Sequence, residues 1–294
     1  MTSKESIIAV DWGSTNLLAT HIVEGRVLDQ KSAPLGIRQL QGRDFEAVLR
    51  EVCADWLDDE SRPRFLLSGM VGSREGWIEI PYVDTPAGPD EIEAELNWFE
   101  TGLGEVAIVP GVRHLEEDGV ADVMRGEETQ VIGALEKTGP DATFCIPGTH
   151  SKWIQCREGR IESFRTWVTG EAFELLSASP LLAKGGAANP GSDAFLRGLD
   201  HARRDGGVLR QIFLGRTDML MGKVPAAELP SLLSGILVGA ELREAPKADL
   251  VTLLGSSDRV LAFYQRAFDH FAIHQQLLVK EFTPHVAGAL SLIA

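Results

Sequence analysis

Two short polar segments carry the residue types that phosphate chemistry needs. Asp11-Trp12-Gly13-Ser14-Thr15-Asn16 follows the apolar run Ile7-Ile8-Ala9-Val10. Pro147-Gly148-Thr149-His150-Ser151-Lys152 follows Thr143-Phe144-Cys145-Ile146. A turn of glycine, hydroxyls and an amide presents backbone N–H groups to an anion. Asp11, at a strand end, is the kind of carboxylate that holds a hydrated Mg2+ beside phosphate oxygens. A polar β-turn with local hydrogen bonding accounts equally well for either segment taken alone. Lys152 adds a charge to the second segment, unless it points to solvent as a strand residue. A third segment, Leu254-Gly255-Ser256-Ser257-Asp258, ends an apolar run in small residues at a helix start. There a flat base or a phosphate can approach the backbone.

The elements that must position these turns occur twice. In the first half a strand at 7–10, the polar turn, a strand at 17–23, the tight turn Glu24-Gly25 and a strand at 26–31 follow in order. In the second half the series is 143–146, the polar turn, 152–157, Glu158-Gly159 and 160–164. This is a duplication of architecture rather than of sequence. Apolar residues at helical spacing predict helices over 44–57, with Asp44 as cap, over 92–99 more weakly, and over 127–136. A buried strand at 64–68 runs into Gly69-Met70-Val71-Gly72-Ser73, and 106–109 reads as another. Thr138-Gly139-Pro140 breaks the third helix and divides the chain into domains 1–138 and 139–294. Helices near 170–182, 193–200, 206–214 and 227–243 follow, with Lys184–Gly191 as a loop. A strand at 250–254, a helix from Asp258, a strand near Leu277 and a short helix after Pro284 complete an α/β chain.

Composition bounds the function. The 294 residues include 28 basic and 43 acidic side chains, a net charge of −15. An acidic chain with no basic run is a poor partner for nucleic acid or an anionic membrane. The 44% hydrophobic and 24% charged fractions are those of a globular protein. No apolar run approaches the ~18 residues of a membrane span, and the polar start at Met1–Ser6 does not read as a signal peptide. Cys53, Cys145 and Cys156 have no Cys-x-x-Cys spacing and suggest a reduced, cytoplasmic enzyme. Neither a Walker-type loop nor Gly-x-Gly-x-x-Gly follows the first strand, which disfavours a P-loop ATPase and a classical dinucleotide oxidoreductase. His270 and His274 stand four apart on a helix but lack a third ligand for zinc.

The three turns and the helix between the halves resemble the superfamily of sugar kinases, actin and the heat-shock chaperones. The first two turns look like its two phosphate motifs, and 252–257 like its adenosine motif. Asp11–Asn16, Met70–Ser73, Met124–Gln130, Pro147–Trp153, Phe164-Arg165-Thr166 and Thr169-Gly170-Glu171 together are similar to the 2-dehydro-3-deoxygalactonokinase family. That resemblance implies two ribonuclease H-like (actin-like ATPase) domains with a central ATP cleft. It also implies ATP-dependent phosphorylation of 2-dehydro-3-deoxy-D-galactonate at the 6-hydroxyl, in galactonate catabolism. ATP and Mg2+ are the implied cofactors; sugar acid and ATP are the partners, and a homo-oligomer is open to it.

On that resemblance the acidic catalytic residue lies at the start of the helix before the second phosphate motif. Glu127 is the first choice for the base and Glu128 the second. Asp11 orients Mg2+; Gly13, Ser14, Thr15, Gly148, Thr149 and Lys152 line the phosphates; Gly255 and Ser256 lie against the nucleotide. The substrate carboxylate calls for an arginine. Arg165 is preferred, with Arg125 and Arg74 as competitors, and Asn16 and Glu171 are further substrate contacts. A non-kinase ATPase of the actin and chaperone type, or a kinase for another sugar or sugar acid, shares these motifs.

Overall fold

The computed structural model describes residues 6–57, 63–179, 187–255, 257–278 and 283–293. Its elements run β1 (Ser6–Trp12), β2 (Leu17–Val23), β3 (Arg26–Ala33), α1 (Phe45–Val52), β4 (Arg64–Gly69), β5 (Val83–Asp84), α2 (Pro89–Ala94), β6 (Asn97–Thr101) and β7 (Gly104–Ile108). Then come β8 (Val112–Leu115), β9 (Ala121–Met124), α3 (Glu127–Thr138), β10 (Ala142–Ile146), β11 (Ser151–Arg157), β12 (Arg160–Trp167) and α4 (Thr169–Ser177). The chain continues through α5 (Asp193–Ala202), α6 (Gly207–Leu220), α7 (Leu229–Glu244), β13 (Val251–Leu253), α8 (Asp258–Phe271), β14 (Gln275–Leu277) and α9 (Pro284–Ile293).

The duplicated meander is present in both halves. One sheet has the order β3-β2-β1-β4-β7-β6 and another β12-β11-β10-β13-β14. β1 pairs antiparallel with β2 and parallel with β4, while β10 pairs parallel with β13. An antiparallel meander extended by parallel strands is the ribonuclease H-like sheet, and it occurs here twice. The same hairpin chemistry closes both meanders. Glu24 and Gly25 have φ of 51° and 72°, and Glu158 and Gly159 have 51° and 78°. Positive φ at both central residues matches the right-handed twist of the flanking strands.

The chain forms two compact units, one of 1–141, 156–163 and 279–294 and the other of 142–155 with 164–278. This differs from a division into 1–138 and 139–294 because α9 and the hairpin segment 156–163 belong with the first unit. The core of the first unit gathers Val10, Trp12, Leu17, Leu49, Phe65 and Val106. That of the second gathers Trp153, Phe195, Leu199, Tyr264 and Phe268.

Two expectations are corrected, and one small sheet is added. The helix over 92–99 is instead α2, after Gly88, followed by strand β6. Pro89 starts the helix, the Glu91 carboxylate accepts from Gly88 N at 2.8 Å, and Trp98 and Phe99 pair with β7. The helix over 44–57 ends at Val52, and Ala54–Trp56 forms a separate 3-10 turn. A small sheet of β5, β8 and β9 was not read from the sequence, since its strands have two to four residues.

In the first unit α3 and α9 meet backbone to backbone. A Cβ at Gly133 would lie 1.9 Å from Pro284 O, and one at Gly288 1.9 Å from Thr129 O. Neither obstacle is a side-chain end that could swing away. Gly288→Ala is therefore expected to cost about 1–3 kcal/mol in chemical denaturation. Gly148→Ala, where the nearest atom is 3.8 Å away, should stay within about 0.5 kcal/mol.

Candidate active site

The first turn spends its carbonyls internally. Gly13 O accepts from Ile37 N at 3.0 Å, Ser14 O from Arg38 N at 3.1 Å, Thr15 O from Gly36 N at 3.0 Å and Asn16 O from Gly13 N at 2.9 Å. No acceptor among the described residues meets the N–H groups of Ser14, Thr15 and Asn16. Thr15 and Asn16 are exposed, with the Asn16 amide on Thr15 Oγ1 at 3.3 Å. The turn thus offers donors and no backbone acceptors, which suits an anion.

Asp11, half-buried at the end of β1, stands beside the start of α3 through two glycines. A Cβ on Gly69 would sit 3.3 Å from Asp11 Oδ1, and one on Gly126 3.2 Å from the Gly69 Cα. Gly126 has φ 109°, a conformation that side chains disfavour. The missing Cβ atoms keep the Asp11 carboxylate and the helix start close. Beneath them His285 of α9 shares a 2.8 Å hydrogen bond with Ser68, and burial lowers its pKa against the opposing pull of Asp11. The sequence carried no defensible role for this segment. Among the described residues no group of three His, Cys, Asp or Glu side chains is arranged to hold a metal. One hard carboxylate, half-buried at a strand end, fits an ion that takes its other ligands from phosphate and water.

The two candidate bases differ sharply. Glu128 is fully buried, with Oε2 accepting from Gly126 N at 2.6 Å and Oε1 from Thr129 Oγ1 at 3.2 Å. Burial first, then the neighbouring Glu127 charge, push its pKa up to about 8. Glu127 is only half-buried and accepts from Arg125 N at 3.1 Å. Arg125 stacks on Tyr82, 4.4 Å from the ring centroid, and donates through Nη2 to Ile80 O at 2.7 Å. Its Nε and Nη1 are buried and meet no acceptor among the described residues. Arg74, with its side chain 87% exposed, lies 3.6 Å from Glu79.

In the second unit Gly148 and Thr149 are exposed and braced by α4. Thr149 O accepts from Glu171 N at 3.0 Å, and a Cβ on Gly170 would lie 2.2 Å from Gly148 O. The Glu171 carboxylate meets His150 at 2.7 Å. Gly255 is exposed at the end of β13 beside this turn, 4.0 Å from Pro147 O by its Cβ position. Ser256 lies outside the described residues. Lys152 corrects the idea of a solvent-facing strand lysine, being 5% exposed and donating to Thr166 Oγ1 at 2.8 Å. Arg165 is exposed on β12.

Sequence reasoning missed Glu241, a buried acid of α7 with four protein donors around it. Burial raises its pKa, and those donors oppose the rise. The signal was visible as one carboxylate in an otherwise apolar or small-residue helix, Leu229–Leu242.

A family model described as 2-keto-3-deoxy-galactonokinase matches residues 11–290. The 2-dehydro-3-deoxygalactonokinase of Escherichia coli (strain K12) is 36% identical over 266 residues, covering 89% of this chain and 88% of that one. A Sinorhizobium meliloti protein crystallised as a candidate 2-dehydro-3-deoxygalactonokinase superposes with a TM-score of 0.87 at 28% identity, over 97% of each chain. Component A of the Acidaminococcus fermentans (R)-2-hydroxyglutaryl-CoA dehydratase shares the fold, with a TM-score of 0.51 at 13% identity, over 99% of this chain and 97% of that one. The actin-like fold is thus shown, and no described helix is long and apolar enough to cross a membrane. With the family match running along almost the whole chain and the Escherichia coli relative aligned over most of both proteins, this chain belongs to the 2-keto-3-deoxy-galactonokinase family and is a kinase.

Proposed function

We propose that the chain phosphorylates 2-dehydro-3-deoxy-D-galactonate at its 6-hydroxyl with ATP and Mg2+, using Glu127 as the base. The observation that carries this reading is the contrast at the start of α3. Glu128 is buried and holds its proton near neutrality, whereas Glu127 is accessible beside the helix N-terminus. Positive backbone dipoles there favour an ionised carboxylate. The family description and the activity named for the Escherichia coli relative support the substrate.

The residues divide the work as phosphoryl transfer requires, by alignment and charge neutralisation more than by covalent chemistry. Ser14, Thr15 and Asn16 of the first turn offer N–H donors to phosphate, as do Gly148 and Thr149 of the second, and Gly255 lies against the nucleoside. Asp11 would hold Mg2+, which supplies neutralisation of phosphate charge. Glu127 takes the proton from the attacking hydroxyl. For the substrate carboxylate the geometry supports Arg125 over Arg165, because two of its buried N–H groups meet no acceptor among the described residues. Lys152 supports the sheet through Thr166. Three free, buried cysteines fit a reducing cytoplasm.

Glu127→Gln should lower kcat about 10²–10⁴-fold with little change in either KM. Activity near wild type on the sugar acid would end the assignment of the base. Arg125→Lys should raise the sugar-acid KM about tenfold or more while sparing that for ATP. ATP turnover indifferent to every member of a sugar-acid panel would instead indicate a non-kinase ATPase.

Glu128 gives a separate test in stability. Between its ordinary pKa of 4.5 and about 8 the folded chain holds a proton that the unfolded chain has lost. Its contribution is therefore complete below the ordinary value and declines as pH rises towards 8. Glu128→Gln, which mimics the protonated form, should flatten the fall in Tm between about pH 5 and 8. An unchanged pH profile of Tm would contradict the buried, protonated state.

A further inference from the structure

Glu241 is 1% exposed, yet it reaches both the strand that follows the second turn and the start of the helix that braces it. Its Oε1 accepts from Ser151 Oγ at 2.7 Å and from Trp153 Nε1 at 2.8 Å. Its Oε2 accepts from Tyr264 OH at 2.7 Å and from Thr169 Oγ1. The acceptor capacity of a carboxylate is thereby filled by protein donors, so this group has nothing left for a substrate. Ser151 is the first residue of β11, directly after the turn. Thr169 is the first residue of α4, which braces the turn through Gly170 against Gly148 O and through the Glu171 N–H on Thr149 O.

We propose that Glu241 is the positioning residue of the second phosphate turn. From α7 it fixes the start of β11 and the start of α4 in one register, and so holds the Gly148–Thr149 backbone in the shape that receives a nucleotide phosphate. This rests on the reading of that turn as a phosphate site. A buried carboxylate is a poor device for stability alone, because well-packed apolar replacements of buried ionic groups are often neutral. Fixing the geometry of a turn gives it a purpose.

The test separates position from stability. Glu241→Gln can keep its carbonyl on Ser151 and Trp153 and turn its amide to the Thr169 and Tyr264 hydroxyls, which can accept. Glu241→Leu satisfies none of them. Steady-state kinetics with ATP and the sugar acid should show the KM for ATP raised about tenfold or more in Glu241→Leu, with the sugar-acid KM within about twofold. Glu241→Gln should restore the ATP KM to within about threefold of wild type. An unmoved ATP KM in a folded Glu241→Leu protein overturns the proposal, as does an equal loss for both substrates.

Should Glu241→Leu fail to fold, Ser151→Ala and Thr169→Val each remove one donor and are expected to raise the ATP KM selectively. Neither doing so overturns the proposal. Thr149→Pro, which removes a backbone N–H from the turn itself, tells the two failures apart. A raised ATP KM there with none in the Glu241, Ser151 and Thr169 variants refutes positioning by Glu241 and keeps the turn. No change in any of them refutes both.

Discussion

In the first turn every backbone carbonyl from Gly13 to Asn16 is occupied by an N–H of the protein, and much else follows from that allocation. A turn whose acceptors are spent can face outward only with donors. The donors that spend them come from Gly13, Gly36, Ile37 and Arg38, so the segment after β3 is part of the turn although it lies twenty residues on. Gly36 cannot carry a side chain there, since a Cβ would fall 2.3 Å from Thr15 backbone atoms. The second turn reaches a similar end by another route. Its backbone is braced from α4, and α4 is tied through Thr169 to a carboxylate on α7.

Two buried acids show how surroundings set the use of one side-chain type. Glu128 has few donors and an acidic neighbour, so the proton is the cheapest partner it can find. Burial raises the pKa of Glu241 too, but hydroxyls and an indole arranged around both oxygens oppose that rise and turn the group into a fastening. Both lie in a chain of net charge −15 that the reading above requires to bind anionic substrates. A long-range field of that sign gives no help. On that reading local donors supply the attraction: the N–H groups of the first turn, a helix N-terminus, and a guanidinium two of whose N–H groups meet no acceptor among the described residues.

Much of the fold was legible because its signals are local. The apolar runs before each turn, the Glu-Gly hairpins and the helix starts at Asp44 and Asp258 depend on neighbours within a few residues. The helix misread over 92–99 shows the limit. Its periodicity was compatible with a helix, but pairing of Trp98 and Phe99 with β7 outweighed it. Lys152 shows the same limit for a site residue, because its direction is set by Thr166 on the neighbouring strand and by the core beneath.

The sequence by itself determined the duplicated meander, its polar turns and the set of acidic and basic candidates. These follow from the order of residue types, which fixes local backbone conformation and chemical capability. Only the tertiary structure decided how those capabilities are distributed. Glu127 and Glu128 are adjacent in sequence and about 100° apart around a helix, so one reaches the surface and the other the core. Asp11 meets the start of α3 across Gly69, and His285 joins them from the far end of the chain. Burial and long-range contact set protonation and accessibility, and neither can be counted along a single strand of residues.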